Sequence, residues 1–134
     1  MITLENVLDW LKTLNTKADH YYAGTLPDKK PRSFGVYQLK DSRMRDIAVG
    51  GAETTLTQVK AVSLLIHWEQ STRSTENAAL ALWNEIAGLT GAVIGGHRCS
   101  YIMLLNSEPV DVGTDGGGIC ERVIEFLIYY NKEV

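Results

Sequence analysis

Apolar residues recur at three- and four-residue spacing near the start of the chain, at Leu4, Val7, Leu8, Leu11 and Leu14. That period puts them on one face of an amphipathic helix. Thr3 is the expected N-cap, and Glu5 falls in the first turn, where a negative charge complements the helix dipole. Trp10 borders the stripe, and Asn15 and Thr16 mark the expected end. The period then changes. Tyr21, Tyr22 and Ala23 precede a polar stretch containing Pro27 and Pro31, and residues 33–39 follow with Phe34 and Val36 on one face. Two short strands around a polar turn predict a hairpin. Beyond the charged residues 40–45, Ile47, Ala48 and Val49 form a brief strand that stops at Gly50 and Gly51.

The next strand covers residues 59–68. Val62, Leu64, Ile66 and Trp68 share an unbroken apolar face, while Ala61, Ser63, Leu65 and His67 make a mixed one. His67 reads there as an edge residue. A second helix is expected from an N-cap at Ser74 to Leu89, with Glu76 in its first turn and Gly91 as its stop. It should lay Leu82, Trp83 and Ile86 on a sheet. Residues 98–106 are apolar on both faces and read as a central strand. Residues 119–130 read as a long strand with Ile124, Phe126, Ile128 and Tyr130 on one side. Helix, strands, helix, strands is the order of an α+β fold: a mainly antiparallel β-sheet with helices packed on it. No repeat or biased linker divides residues 1–134, so one domain is expected.

Composition narrows the function classes. At 45% hydrophobic and 22% charged, the chain has the balance of an ordinary globular protein. A net charge of -3 supplies no global basic field for nucleic acid. Acidic Glu5 and Asp9, with no basic residue before the first apolar positions, argue against a secretory signal, and no apolar run is long enough to span a bilayer. Cys99 and Cys120 lie far apart with no C-x-x-C spacing, which favours buried thiols over a zinc site.

The candidate chemistry is thin. Asp111 to Gly116 opens like a calcium loop, but Gly113 holds the third position and Arg122 the twelfth, where oxygen ligands are needed. A metal-free turn is expected instead, with Asp111 and Asp115 bonding nearby backbone N–H groups. The glycine clusters at 50–51, 95–96 and 116–118 match no phosphate-binding pattern. His97 and Cys99 share a strand face, so a Cys–His nucleophile pair is the enzymatic alternative, although it lacks an orienting third group. Glu121 and Glu125 are too far apart along a strand to share a proton. Lys29, Lys30 and Arg32 form one basic cluster and Lys40, Arg43 and Arg45 another, neither interleaved with aromatics. No catalytic, cofactor or metal site is expected. Arg43 and Arg45 are the candidate contacts to a neighbouring subunit or to passing DNA.

The order of short patterns is more specific than any one of them. Ile47 to Gly51 is followed by Lys60 to Trp68, then by Ser74 to Ala79 with Trp83, then by Pro109 to Asp115, and finally by Gly118 to Phe126. From about Tyr21 onward this layout resembles the minor-capsid family of phages and prophages of Gram-positive bacteria. It is also similar to the tail-terminator, or tail-completion, proteins of long-tailed phages. The Pro109–Phe126 stretch carries most of the likeness, and the Gly-Gly ahead of the long strand carries the rest. Cys120 departs from it, standing where the family tends to have an aromatic residue.

The resemblance implies a non-enzymatic virion structural protein at the head–tail junction, made in the host cytoplasm and needing no cofactor. It implies a homo-oligomeric ring, a hexamer, that contacts the tail tube protein and a head-completion protein while genomic DNA passes through without sequence recognition. It implies no membrane partner. A head-completion or connector component of the capsid is the alternative role.

Overall fold

The computed structural model describes residues 1–25, 30–39 and 57–131. Their elements run α1 (Leu4–Leu11), β1 (His20–Ala23), β2 (Ser33–Gln38), β3 (Thr57–His67), α2 (Thr72–Ala87), β4 (Val93–Ile94), β5 (His97–Leu104), β6 (Val110–Thr114) and β7 (Cys120–Asn131). The strands form a seven-stranded sheet in the order β1-β2-β3-β7-β5-β4, with β6 also paired to β7. Every pairing is antiparallel except that of β1 with β2. The fold is therefore α+β, as the order of periodicities predicts.

Local chemistry explains the two helices. In α1 the Thr3 side chain accepts from the Asn6 N–H and the Asn6 side chain accepts from the Thr3 N–H, which satisfies two otherwise orphaned donors. The helix stops at Leu11, short of the expected Leu14, because Thr13 and Leu14 turn back onto the carbonyls of Trp10 and Leu11. Leu14 stays buried all the same. In α2 the N-cap is Ser71 rather than Ser74: the Ser71 hydroxyl accepts from the Ser74 N–H. Thr75, fully buried, adds bonds to the carbonyls of Glu69 and Ser71. This moves the start forward by a turn and takes Glu76 out of the first turn. The other end comes at Ala87, with Gly88 as C-cap.

One face of the sheet and both helices enclose the core. Phe34, Val36, Val62, Leu64, Ile66, Ile124, Phe126, Ile128 and Tyr130 from the strands meet Val7, Leu8, Trp10 and Leu11 from α1. Ala79, Leu82 and Ile86 come from α2. Trp10 lies in this core, with its ring edge-on to Phe126 at 6.3 Å. Trp83, expected beside Leu82 and Ile86, is only half-buried at the margin. Glu85 ties the helices together: its carboxylate accepts from the backbone N–H groups of Asn15 and Thr16 at 2.6 and 2.9 Å and from the Thr16 hydroxyl. Burial pushes the Glu85 carboxyl up, but these bonds outweigh it and hold the group below the usual glutamate range.

Three expectations about strands need correction. β1 and β2 are parallel, not a hairpin. The Arg32 carbonyl accepts from the N–H groups of both Asp19 and His20, so β2 starts beside the start of β1. β5 is not a central strand: beyond β4, which covers His97 and Arg98, its far side has no strand partner among the described residues. Tyr101 and Met103 are accordingly exposed. Residues 111–114, expected within a turn, belong to β6. The brief strand at Ile47–Val49, the Gly50-Gly51 pair and the turn residues Pro27 and Lys29 lie outside the described residues.

Leu82→Ala should lower unfolding free energy by about 2–5 kcal/mol, the range for deleting a fully buried leucine. Trp83→Ala should cost less. Chemical denaturation of the two variants checks this, and the reverse ranking would overturn the packing of α2.

Candidate functional site

The turn between β6 and β7 brings a carboxylate against a buried histidine at the end of β3. His67, at the end of β3, is 0% exposed rather than an edge residue. Its Nδ1 lies 2.9 Å from the Lys30 carbonyl and its Nε2 lies 2.7 Å from Asp115 Oδ2. Asp115 sits in the turn between β6 and β7 with its side chain 7% exposed. Its other oxygen, Oδ1, accepts from the N–H groups of Gly117 and Ile119. These bonds, that from His67 foremost, hold the Asp115 carboxyl down at about 2. The glycine at 118 adopts a left-handed φ of 82°, which closes the turn.

This arrangement resembles the base-and-orienter half of a hydrolytic triad, and Ser33 is paired opposite His67. It cannot act as one. Both ring nitrogens face acceptor oxygens, those of the Lys30 carbonyl and the Asp115 carboxylate, so neither is presented to a hydroxyl nucleophile. The Ser33 hydroxyl donates to the Lys30 carbonyl instead of facing the ring. The cluster is a clasp that fixes the hairpin turn to β3 and to the chain ahead of β2. The same bonds commit both Asp115 oxygens, and Asp111 Oδ1 accepts from the Gly113 N–H. Among the described residues no three His, Cys, Asp or Glu side chains gather as metal ligands.

His97 and Cys99 do share a buried face of β5. They do not bond to each other through their side chains. The Cys99 thiol donates to the His97 carbonyl at 3.8 Å, while the imidazole faces the Asn131 carbonyl and the N-terminal amine. Burial pushes the Cys99 thiol up, away from the thiolate a nucleophile needs. Cys120 is likewise a buried free thiol. Arg122 reaches from β7 to Glu76 of α2 at 3.6 Å and to Asp111 of β6 at 3.7 Å. Both carboxylates are more than half exposed, so these pairs contribute little. Arg43 and Arg45 lie outside the described residues.

A groove of about 460 Å³ runs beside β5, lined in part by Trp83 and Leu89 from the end of α2 and by Ile102 and Leu104. The apolar pattern of residues 98–106 marked this strand, but only the fold brings the end of α2 alongside it. The clasp at His67 was likewise missed, because its partners lie 37 and 48 residues away.

No family model matches the chain. No curated protein matches it either. A solved chain that carries no functional name aligns at 15% identity over 95% of this chain and 87% of its own, with a TM-score of 0.39. At that level of likeness it supports no inference about function. No helix among the described residues is long and apolar enough to cross a membrane.

The clasp has a pH signature. A carboxyl held below its ordinary value stabilises the fold fully above the unfolded value of about 3.9, and that contribution is lost as pH falls through the folded value. Stability should therefore drop between about pH 4 and the folded value near 2. Asp115→Asn should be less stable than wild type at neutral pH and lose part of that acid slope. Equal slopes for the two proteins would remove Asp115 from the clasp.

Proposed function

We propose that this protein is a structural component of a phage virion that forms a ring at the head-proximal end of the tail tube, stops tube polymerisation and joins tail to head. The observation that carries this reading is the order of sequence patterns ending in Pro109–Phe126. The fold supports it in two ways. That stretch forms β6, its turn and much of β7, and Asp115 within it bonds to His67 in the clasp, which suits a stretch that sets shape. The Cys–His pair that would have supported an enzyme is buried and unactivated.

The mechanism needs only differential binding. A closed ring matched to the tube end covers the surface to which the next tube subunit would add, and it presents a new surface to the head-completion protein. Single contacts in such a ring are weak, but linkage around it raises the effective concentration at each remaining site. Genomic DNA passes through the lumen without being read. Arg43 and Arg45 are the residues proposed to touch a neighbour or the DNA backbone there, where each phosphate contact is sensitive to salt.

Loss of the gene should leave DNA-filled heads unjoined to tails, with tube ends free to overgrow. Electron microscopy of the knockout lysate tests this, and intact virions with tails of normal length would sink the reading. Leaking heads beside finished tails would move the role to head completion. Reversing both Arg43 and Arg45 to Glu should impair assembly or infectivity with the monomer still folded. Normal titres would remove the pair from the site.

A further inference from the structure

Among the described residues, β1 and the part of β5 beyond β4 each have a strand partner on one side alone. In β1 the His20 N–H donates to the Arg32 carbonyl and the Gly24 N–H to the Val36 carbonyl. Alternate residues of a parallel ladder face the partner, so the main-chain groups of Tyr21 and Ala23 point away from β2. In β5 the register continues to Leu105, whose N–H donates to the Glu125 carbonyl at 2.9 Å. Bonded pairs in an antiparallel ladder recur at every second residue. Tyr101 and Met103 are therefore bonded to β7, and the main-chain groups of Ile102 and Leu104 point away from it. Among the described residues no backbone bond outside the β1–β2 and β5–β7 ladders engages these four residues.

We infer that copies of this chain join edge to edge, β1 of one copy adding antiparallel to β5 of the next, with Tyr21 opposite Leu104 and Ala23 opposite Ile102. Two independent constraints meet in that register. The first is direction. From the pairings, β1, β2 and β7 run one way and β3 and β5 the other. A second copy in the same orientation, as a ring requires, thus brings β1 antiparallel to β5. The second is the face. Tyr21, Ala23, Ile102 and Leu104 all pack against the core. Residues opposite one another in an antiparallel pair share a face, so the helix-bearing sides of adjoining copies coincide.

Chemistry at the two edges agrees. Isolated strand edges are usually guarded by charge or proline. Residues 20–23 and 99–107 contain no Lys, Arg, Asp, Glu or Pro. The groove of about 460 Å³ beside β5, lined in part by Trp83 and Leu89, leaves room beside the strand. Each copy uses one edge to give and the other to receive, which is a heterologous contact that closes if the rotation between copies closes. The inference rests on the ring reading for the fact of self-association, while the edges themselves are tested separately.

On the outer face this register places Tyr22 opposite Met103 in a non-bonded pair. Such pairs have Cα atoms about 4.5 Å apart, within disulfide range. Tyr22→Cys and Met103→Cys proteins are to be purified separately, mixed over a concentration series with and without tail tubes, and mildly oxidised. A disulfide-linked dimer is expected in the mixture and not in either variant alone; the native thiols are buried. Rings visible by electron microscopy with no such disulfide would overturn the edge pairing and leave the ring reading standing. In a protein carrying both Tyr22→Cys and Met103→Cys, linked chains that never close would retain the edge and overturn the ring. Absence of both assembly and disulfide under all these conditions would overturn both.

Discussion

A strand of twelve residues in the middle of a sheet must find main-chain partners on both sides along its whole length, and β7 meets that requirement in an uneven way. On one side β3 pairs with it from Thr57↔Asn131 to His67↔Glu121. On the other side no single strand suffices. β6 covers Cys120 to Val123 and β5 covers Phe126 to Tyr130. Much else follows from this division. It brings the turn after β6 down onto the end of β3, where Asp115 meets His67. It also leaves β5 with a short partner in β4 and, among the described residues, no strand beyond it. Unpaired main-chain groups on a buried strand would cost more than these detours, because each lost bond leaves a desolvated donor or acceptor.

The parts of this architecture legible in the sequence are those governed by local periodicity. The stripe from Leu4 to Leu11 and the faces of β3 and β7 each alternate or repeat with the period of their element, and each is buried as that pattern requires. What depends on distant partners was not legible. β6 exposes all five of its residues, so no burial pattern marks it, and it exists because β7 offers it a ladder. The direction of β1 is set by a carbonyl at Arg32 rather than by side-chain pattern. The start of α2 lies a turn ahead of the expected Ser74 because Ser71 caps it and the buried Thr75 bonds back to the carbonyls of Glu69 and Ser71.

The same distinction explains the candidate site. A buried histidine with two acceptors cannot be told from an exposed one by its neighbours Ile66 and Trp68, since its partners come from the chain ahead of β2 and from the β6–β7 turn. His97 and Cys99 show the opposite case. Their spacing placed them on one face, as found, but sharing a face does not orient a thiol toward an imidazole. Each lies against a backbone carbonyl instead, and burial pushes the thiol up, away from the thiolate form.

Residues 98–106 hold the most informative disagreement between pattern and monomer. Their apolar residues on both faces are the signature of a strand covered on both faces. Yet in the single chain Tyr101 is 58% exposed and Met103 37%. A composition suited to the interior, on a strand at an edge, is a mismatch that a protein adapted to remain solitary would correct with charge. If β1 of a neighbouring copy pairs with β5, the bare edge disappears, while Tyr101 and Met103 stay on the outer face. β5 becomes an interior strand, Met103 gains Tyr22 as a cross-strand neighbour, and the main-chain groups of Ile102 and Leu104 are satisfied. On that view the sequence describes the strand's place in the assembly, and the isolated chain is the incomplete form.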